Sequence, residues 1–432
     1  MNARIAPPVG DVPAVRHAPR SALAYAALVI FVTMALFGNF LFSGRGAEAN
    51  GGGGSLVNQI VYLGALTLAV AARKPWKNPA MLLVVPLSLV LSLGWAWLSV
   101  TWSLAPAISA RRAALLTVVV LTAFLTVRQV GYERTVVILR AFLLVALAAS
   151  YVAAVLFPSV GIQHMTVLTE RNYAGTWRGV FIDKNACGQF CVITGLFFAF
   201  GPFRQRRYLL RAAVIVLAVF LLYKTQSKTS LGVLAIALMV GLAAYQKRFF
   251  RLFMIPLAAY ALVIGILLVG TIPAPFVGAL HNSDAFTGRG AIWGSLVRYL
   301  QDHWLLGSGY GAFWAIGERS PIFQTASYDW VKSVLTGHNG YLDVWVTLGL
   351  PGLLLVVAAT LVIPLAKSFS RSIAPRDTAL LSSVIVAVAG ISVTESILFH
   401  TDFTTNIFLM MTIALVNEKT GWRRRPALPA PR

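Results

Sequence analysis

The stretch Ser21-Ala-Leu-Ala-Tyr-Ala-Ala-Leu-Val-Ile-Phe-Val-Thr-Met-Ala-Leu-Phe-Gly-Asn-Phe-Leu-Phe42 contains no charged side chain. As a helix rising about 1.5 Å per residue, it is long enough to cross the hydrocarbon core of a bilayer. Met1 to Arg20 is polar and Pro-rich, so the run reads as a retained first span and not as a cleaved signal sequence. Comparable apolar runs follow at 56–72, 80–102, 112–128, 136–157, 187–203, 208–223, 229–246, 250–271, 340–366, 378–398 and 403–417. Together they predict an all-α polytopic membrane protein with about twelve transmembrane helices. Composition agrees, because only 12% of residues are charged and 58% are hydrophobic, whereas soluble domains carry about 25% charged residues.

The connections between runs set an expected orientation. With the N-terminus inside, the inner segments hold 24 of the 36 Lys and Arg residues. Short basic loops are expected on the cytoplasmic side, so both termini are predicted to be cytoplasmic. The net charge of +22 is then largely topological, and a nucleic-acid partner is not expected. Cys187 and Cys191, four apart in one apolar stretch, read as small packing residues.

The organisation expected is a cytoplasmic tail over 1–20 and nine helices within 21–271, including an outer loop at 158–186. An outer catalytic loop at 272–339, three helices within 340–417 and a basic tail over 418–432 follow. The loop at 272–339 lies far above the usual connection length, and such loops generally carry function. The Gly51–Gly54 run lacks the Lys of a phosphate-binding loop and reads as a linker.

Twelve basic residues remain on the outer side, where they oppose the topology. They include Arg171, Arg178, Lys184, Lys224, Lys228, Arg289, Arg298, Arg319 and Lys332. As a group converging on one cavity they point to an anion site. No Asp-x-Asp pair, no His-x-x-x-His spacing and no Walker-type loop occurs, so the metal-bound nucleotide-sugar and zinc chemistries lack their usual residues. Of six histidines, His338 stands out, in Thr336-Gly-His-Asn-Gly-Tyr-Leu-Asp343 where the long loop enters the tenth run. Flanking glycines let the backbone approach a ligand, and a neutral imidazole there suits a general base.

The long loop reads Thr287-Gly-Arg-Gly-Ala-Ile-Trp293, His303-Trp-Leu-Leu-Gly-Ser-Gly-Tyr-Gly-Ala-Phe313, Gly337-His-Asn-Gly-Tyr-Leu342 and Leu348-Gly-Leu-Pro-Gly352. With Ser227-Lys-Thr229 and Arg178-Gly-Val-Phe-Ile-Asp-Lys-Asn185 upstream, this order resembles the O-antigen ligase and O-antigen polymerase superfamily over about residues 175–355. Lys228 stands where the family pattern has Arg, which keeps the charge but loses bidentate geometry. The resemblance implies a GT-C-like glycosyltransferase in the inner membrane of a Gram-negative cell. It implies a donor glycan on undecaprenyl diphosphate, a lipid A–core acceptor and no cofactor, with the active site facing the periplasm. In that reading His338 takes the acceptor's proton, and Arg289, Arg178, Lys184 and Lys228 hold the departing diphosphate. Asn339, Tyr341 and Asn185 support them, no metal takes part, and inversion at the anomeric carbon follows.

Ligase and polymerase share donor and fold. Polymerases are expected to carry Arg-x10-Gly in both outer loops. Arg298 and Gly309 have that spacing, but neither Arg171 nor Arg178 does, which favours a ligase. A protein O-oligosaccharyltransferase is a third acceptor class. The rival of another class is a lipid-linked glycan flippase, which shares the topology.

Overall fold

The computed structural model describes residues 21–42, 56–73, 84–164, 174–201, 208–246, 288–401 and 404–421. Among them the chain is helical, with isolated bridges at Ile162–Trp177 and Ile316–Glu318 but no strand. Helices α1 (Ala22–Phe42), α2 (Leu56–Arg73), α3 (Leu87–Leu98), α4 (Pro106–Val130) and α5 (Tyr132–Leu156) come first. They are followed by α6 (Lys184–Phe200), α7 (Tyr208–Thr225) and α8 (Lys228–Gln246). Then come α9 (Arg289–His303), α10 (Gly340–Val357, continued by a π turn at Ala358–Val362 and Ile363–Ser368), α11 (Pro375–Ile391) and α12 (Thr404–Thr420). Eleven of the twelve predicted runs meet one of these helices, and the run at 250–271 lies outside the described residues.

Six of the helices (α2, α4, α5, α7, α8 and the extended α10) are long and apolar enough to cross a membrane. Their outer faces say the same. Val137, Val145, Val152 and Val155 of α5 and Leu231, Ile236, Met239 and Leu242 of α8 are exposed, an apolar belt that water would not tolerate. By contrast α6 is buried from Cys187 to Phe198 and α12 from Thr405 to Val416. Helices apolar all round belong inside a bundle, and these two are wrapped by the others. Hydroxyls within the helices return to their own backbone, as Thr122 does to the Val118 carbonyl (2.7 Å) and Thr412 to that of Phe408 (2.7 Å). Such bonds keep these hydroxyls from facing hydrocarbon unpaired.

Polar contacts gather at the two ends of the bundle. At one end Arg128 pairs with Glu418 at 2.6 Å and Lys419 with Asp377 at 2.8 Å. At the other, Trp177 N–H donates to the Lys224 carbonyl (3.1 Å) and Gly340 N–H to that of Ser392 (2.8 Å). On the positive-inside expectation, the first end is the cytoplasmic one. Exposed Ser333 and Ser372 lie in segments read as outside and inside. With buried Cys187 and Cys191 replaced, Ser333→Cys should react with an impermeant thiol reagent in spheroplasts and Ser372→Cys only after lysis. The reverse pattern would invert the topology.

The sequence treats 272–339 as a loop, but from Gly288 onward it is a small helical layer with its own core. Leu296 and Tyr299 of α9 pack there with Phe313, Ile322, Val331 and Val346. A strap, His303–Phe313, ties this layer to the bundle where α10 breaks. Gly349 has φ 67°, a conformation open to glycine, and a side chain there would collide with the Leu305 carbonyl. Pro351 lacks an N–H and disrupts the ladder. Three of the freed groups are taken up from outside the helix. Ser308 N–H donates to the Val346 carbonyl (2.8 Å), Trp95 Nε1 to that of Leu348 (2.9 Å), and Leu350 N–H to that of Trp304 (2.9 Å).

Candidate active site

Four helix starts, those of α6, α8, α9 and α10, and one connection build the site. Asn339 is the N-cap of α10, its Oδ1 accepting from the N–H groups of Tyr341 and Leu342 at 3.0 Å each. Side-chain caps of this type satisfy the orphan donors of a first turn. The cap directs the chain so that His338, just before it, sits at φ 47°. A non-glycine residue in that region is held there by its surroundings and is a pointer to function. Gly337 N–H is fixed by the Asp343 carboxylate (3.1 Å), which also accepts from Trp314 Nε1 (2.9 Å). Trp293 Nε1 of α9 donates to the Gly337 carbonyl (2.9 Å).

The predicted run 378–398 ends early. Helix α11 stops at Ile391, where the Ser392 carbonyl accepts Gly340 N–H (2.8 Å). The connection from Ser392 to Thr401 is irregular and carries Glu395. Glu395 is the residue that sequence reasoning missed. Its Oε1 lies 2.6 Å from Arg289 Nη2, and its Oε2 lies 3.6 Å from His338 Nδ1. The carboxylate is mostly enclosed (13% exposed), while His338 stays open at 37%. The histidine–carboxylate gap is just beyond hydrogen-bonding reach, and such contacts in substrate-free sites often tighten on binding.

Arg289 is the first residue of α9. Asp183 caps α6, its Oδ1 accepting from the N–H groups of Asn185 and Ala186 at 2.8 Å each. Burial raises the Asp183 carboxyl above its ordinary range. The Ala186 N–H counters this, and the nearby Glu395 charge adds to it. Both Glu395 and His338 act on Asp183 electrostatically, and Arg289, Asp183 and Lys228 act on Lys184. The predicted residues His338, Arg289, Lys184 and Lys228 therefore come together around the start of α6, with Asn185 in its first turn. Ser227 and Ser230, hydrogen-bonded at 3.0 Å, approach the α6 backbone at Gly188.

Other predicted residues are placed differently. The Arg178 guanidinium donates to the Val160 (2.9 Å) and Ile182 (3.2 Å) carbonyls of its own loop. The Tyr341 hydroxyl donates to the Ala389 carbonyl (2.9 Å) and braces α10 on α11. The outer cations do not converge as one group. Arg298 donates to the Thr325 carbonyl, Lys332 pairs with Asp329 at the surface, and Lys224 lies 5.6 Å from the Trp177 ring centroid. Arg171, Asp284 and His281 lie outside the described residues. No three His, Cys, Asp or Glu side chains among the described residues are grouped as a metal would need.

Among the described residues, one end of the bundle thus holds an enclosed acid, Glu395, beside an open imidazole, His338, and the Arg289 cation. Residues 212–357 match the family model described as O-Antigen ligase. The match supports the resemblance to the O-antigen ligase superfamily read from the motifs. The matched segment includes Lys228, Arg289, His338, Asn339 and Tyr341. Neither a curated protein nor a solved structure matches the chain.

Proposed function

We propose that the protein is an inverting, metal-independent glycosyltransferase acting on the periplasmic face of the inner membrane. It moves an O-antigen glycan from undecaprenyl diphosphate to a hydroxyl of the lipid A–core oligosaccharide. The observation that carries this reading is the Glu395 carboxylate bridging Arg289 and His338. With Nδ1 turned to Glu395, the other ring nitrogen, Nε2, is left to take the acceptor proton. Glu395 then offsets the imidazolium charge that forms, the role a carboxylate plays behind a catalytic histidine. The acceptor oxygen attacks the anomeric carbon as its bond to the diphosphate breaks, so the centre inverts. Arg289, Lys184 and Lys228 balance charge developing on the leaving diphosphate. A pre-activated donor needs neither nucleotide nor ATP, in line with the motifs the sequence lacks.

The polymerase reading rests on the Arg298–Gly309 spacing. Arg298 is instead occupied with the Thr325 carbonyl (2.6 Å), and Gly309, at φ 91°, packs on Ser103. Both residues serve the outer layer's fold, which favours the ligase.

The test is a reconstitution with lipid-linked glycan and lipid A–core acceptor in excess chelator. Glycan attachment and release of undecaprenyl diphosphate are both expected, with an inverted linkage. A donor that is never turned over would favour the flippase. Loss on chelation with rescue by magnesium would mean that Asp183 and Glu395 hold a metal and not the groups assigned here.

A further inference from the structure

A cavity of about 400 Å³ lies beside the cluster but is not lined by His338, Arg289 or Lys184. That size falls within the range of small-ligand pockets, about 300–1,000 Å³. Helix α6 separates the two. Residues one turn apart share a helix face, and Lys184 and Gly188 look toward α8 and the cations. Ala186 and Gln189, on another face, line the cavity. The walls are largely apolar with a few placed polar groups, the usual make-up of a small-molecule pocket. Tyr310 and Trp314 supply aromatic surface, and Arg111, Arg112 and His400 supply polar edges. Gln189 accepts the Thr405 hydroxyl through Oε1 (2.7 Å), so its amide NH2 is the donor it offers.

Charge then narrows the ligand. Arg112 is engaged in building the wall, donating to the carbonyls of Gly311 and Trp314. The one carboxylate in the lining, Asp343, is engaged by Trp314 Nε1 and Gly337 N–H. Arg111 is exposed and has no ion-pair partner among the described residues. The lining also reaches the reaction centre, through Thr336 in the His338 turn and through Leu398, Phe399 and His400 in the Glu395 connection.

We propose that this cavity is the acceptor subsite, holding a saccharide that bears a phosphate or carboxylate, with Arg111 meeting that anion and the donor diphosphate confined to the Lys184 side of α6. The proposal rests on the glycosyltransferase reading, so the experiment separates binding from transfer. Leu335 lines the cavity and is 62% exposed, and the native cysteines are buried. The reaction rate of Leu335→Cys with a thiol reagent is measured with four probes. These are lipid A–core, the same glycolipid after phosphatase, undecaprenyl diphosphate, and phosphatidylglycerol vesicles.

Lipid A–core should slow labelling several-fold, and adding Arg111→Ala should raise the concentration needed by about tenfold, the scale of one lost hydrogen bond to a charged group. Arg111→Ala should likewise raise the acceptor KM while leaving the donor KM unchanged. Equal protection by the phosphatase-treated glycolipid would overturn the anionic part of the proposal. Protection by undecaprenyl diphosphate or phosphatidylglycerol instead, or by no probe, would overturn the subsite. Protection by lipid A–core in a protein that never transfers glycan would count for the site and against the transfer reading.

Discussion

His338→Ala should lower glycan transfer by about two to four orders of magnitude, the usual contribution of a positioned general base, with the protein still folded and inserted. The side chain is 37% exposed and makes its one close polar approach to Glu395, so its removal opens no hole in a packed core. Donor affinity should be kept, because the cations proposed to meet the diphosphate are untouched. His303→Ala provides the contrast. That ring stacks on Tyr299 at 4.2 Å, and its Nδ1 lies 3.2 Å from the Tyr299 carbonyl, so its loss should cost stability of the outer layer and little rate. Single-turnover transfer at saturating acceptor measures both variants. Normal glycan attachment by His338→Ala at native expression would remove the base from the mechanism.

Arg289→Ala should be nearly as damaging, by about two to three orders of magnitude in rate, on the scale of losing one preorganised donor to a developing anion. It removes a proposed diphosphate partner and also leaves Glu395 enclosed without the cation 2.6 Å away. Two further variants separate these effects. Arg289→Lys keeps a charge but loses the planar fork, so it should restore part of the activity. Glu395→Gln should lower kcat with donor affinity nearly unchanged, because it weakens the support of His338 and leaves Arg289 in place. Arg319 is exposed in the same layer, and Arg319→Ala should stay within a few fold of the parent, as surface charges usually do. Parent-like kinetics in Arg289→Ala would leave Lys184 and Lys228 as the diphosphate partners.

The helices were legible because length and lack of charge are local properties, and each described helix of the bundle falls on an apolar run. The His338 turn was legible too, since flanking glycines mark a tight approach, although the N-cap made by Asn339 emerged only in the structure. Glu395 was not. It sits four residues after the end of α11, inside an apolar run that continues to Leu398, and hydropathy cannot see a helix end set by a distant partner. That partner is Gly340 N–H, which binds the Ser392 carbonyl. The outer cations failed as a group for a similar reason. Charge counting cannot tell Arg298, used on a carbonyl, from Arg289, used on the Glu395 carboxylate beside His338. The cavity, too, is assembled from α4, α6, the strap and the Glu395 connection, segments that lie far apart in the chain.

The break in α10 also bears on how the protein could be cut or rebuilt. Because Trp304 and Ser308 complete the hydrogen bonding of Leu350 and Val346, the outer layer is a structural part of a membrane helix and not an appendage. Backbone groups stripped of partners in hydrocarbon cost several kcal/mol each. A nick or deletion between Trp304 and Phe313 would therefore be felt at membrane depth, and an excised outer layer would lose the floor on which it is laid. The amide hydrogens of Ser308 and Leu350 should exchange with solvent together, at the rate of a single opening, although one belongs to a surface strap and the other to a span.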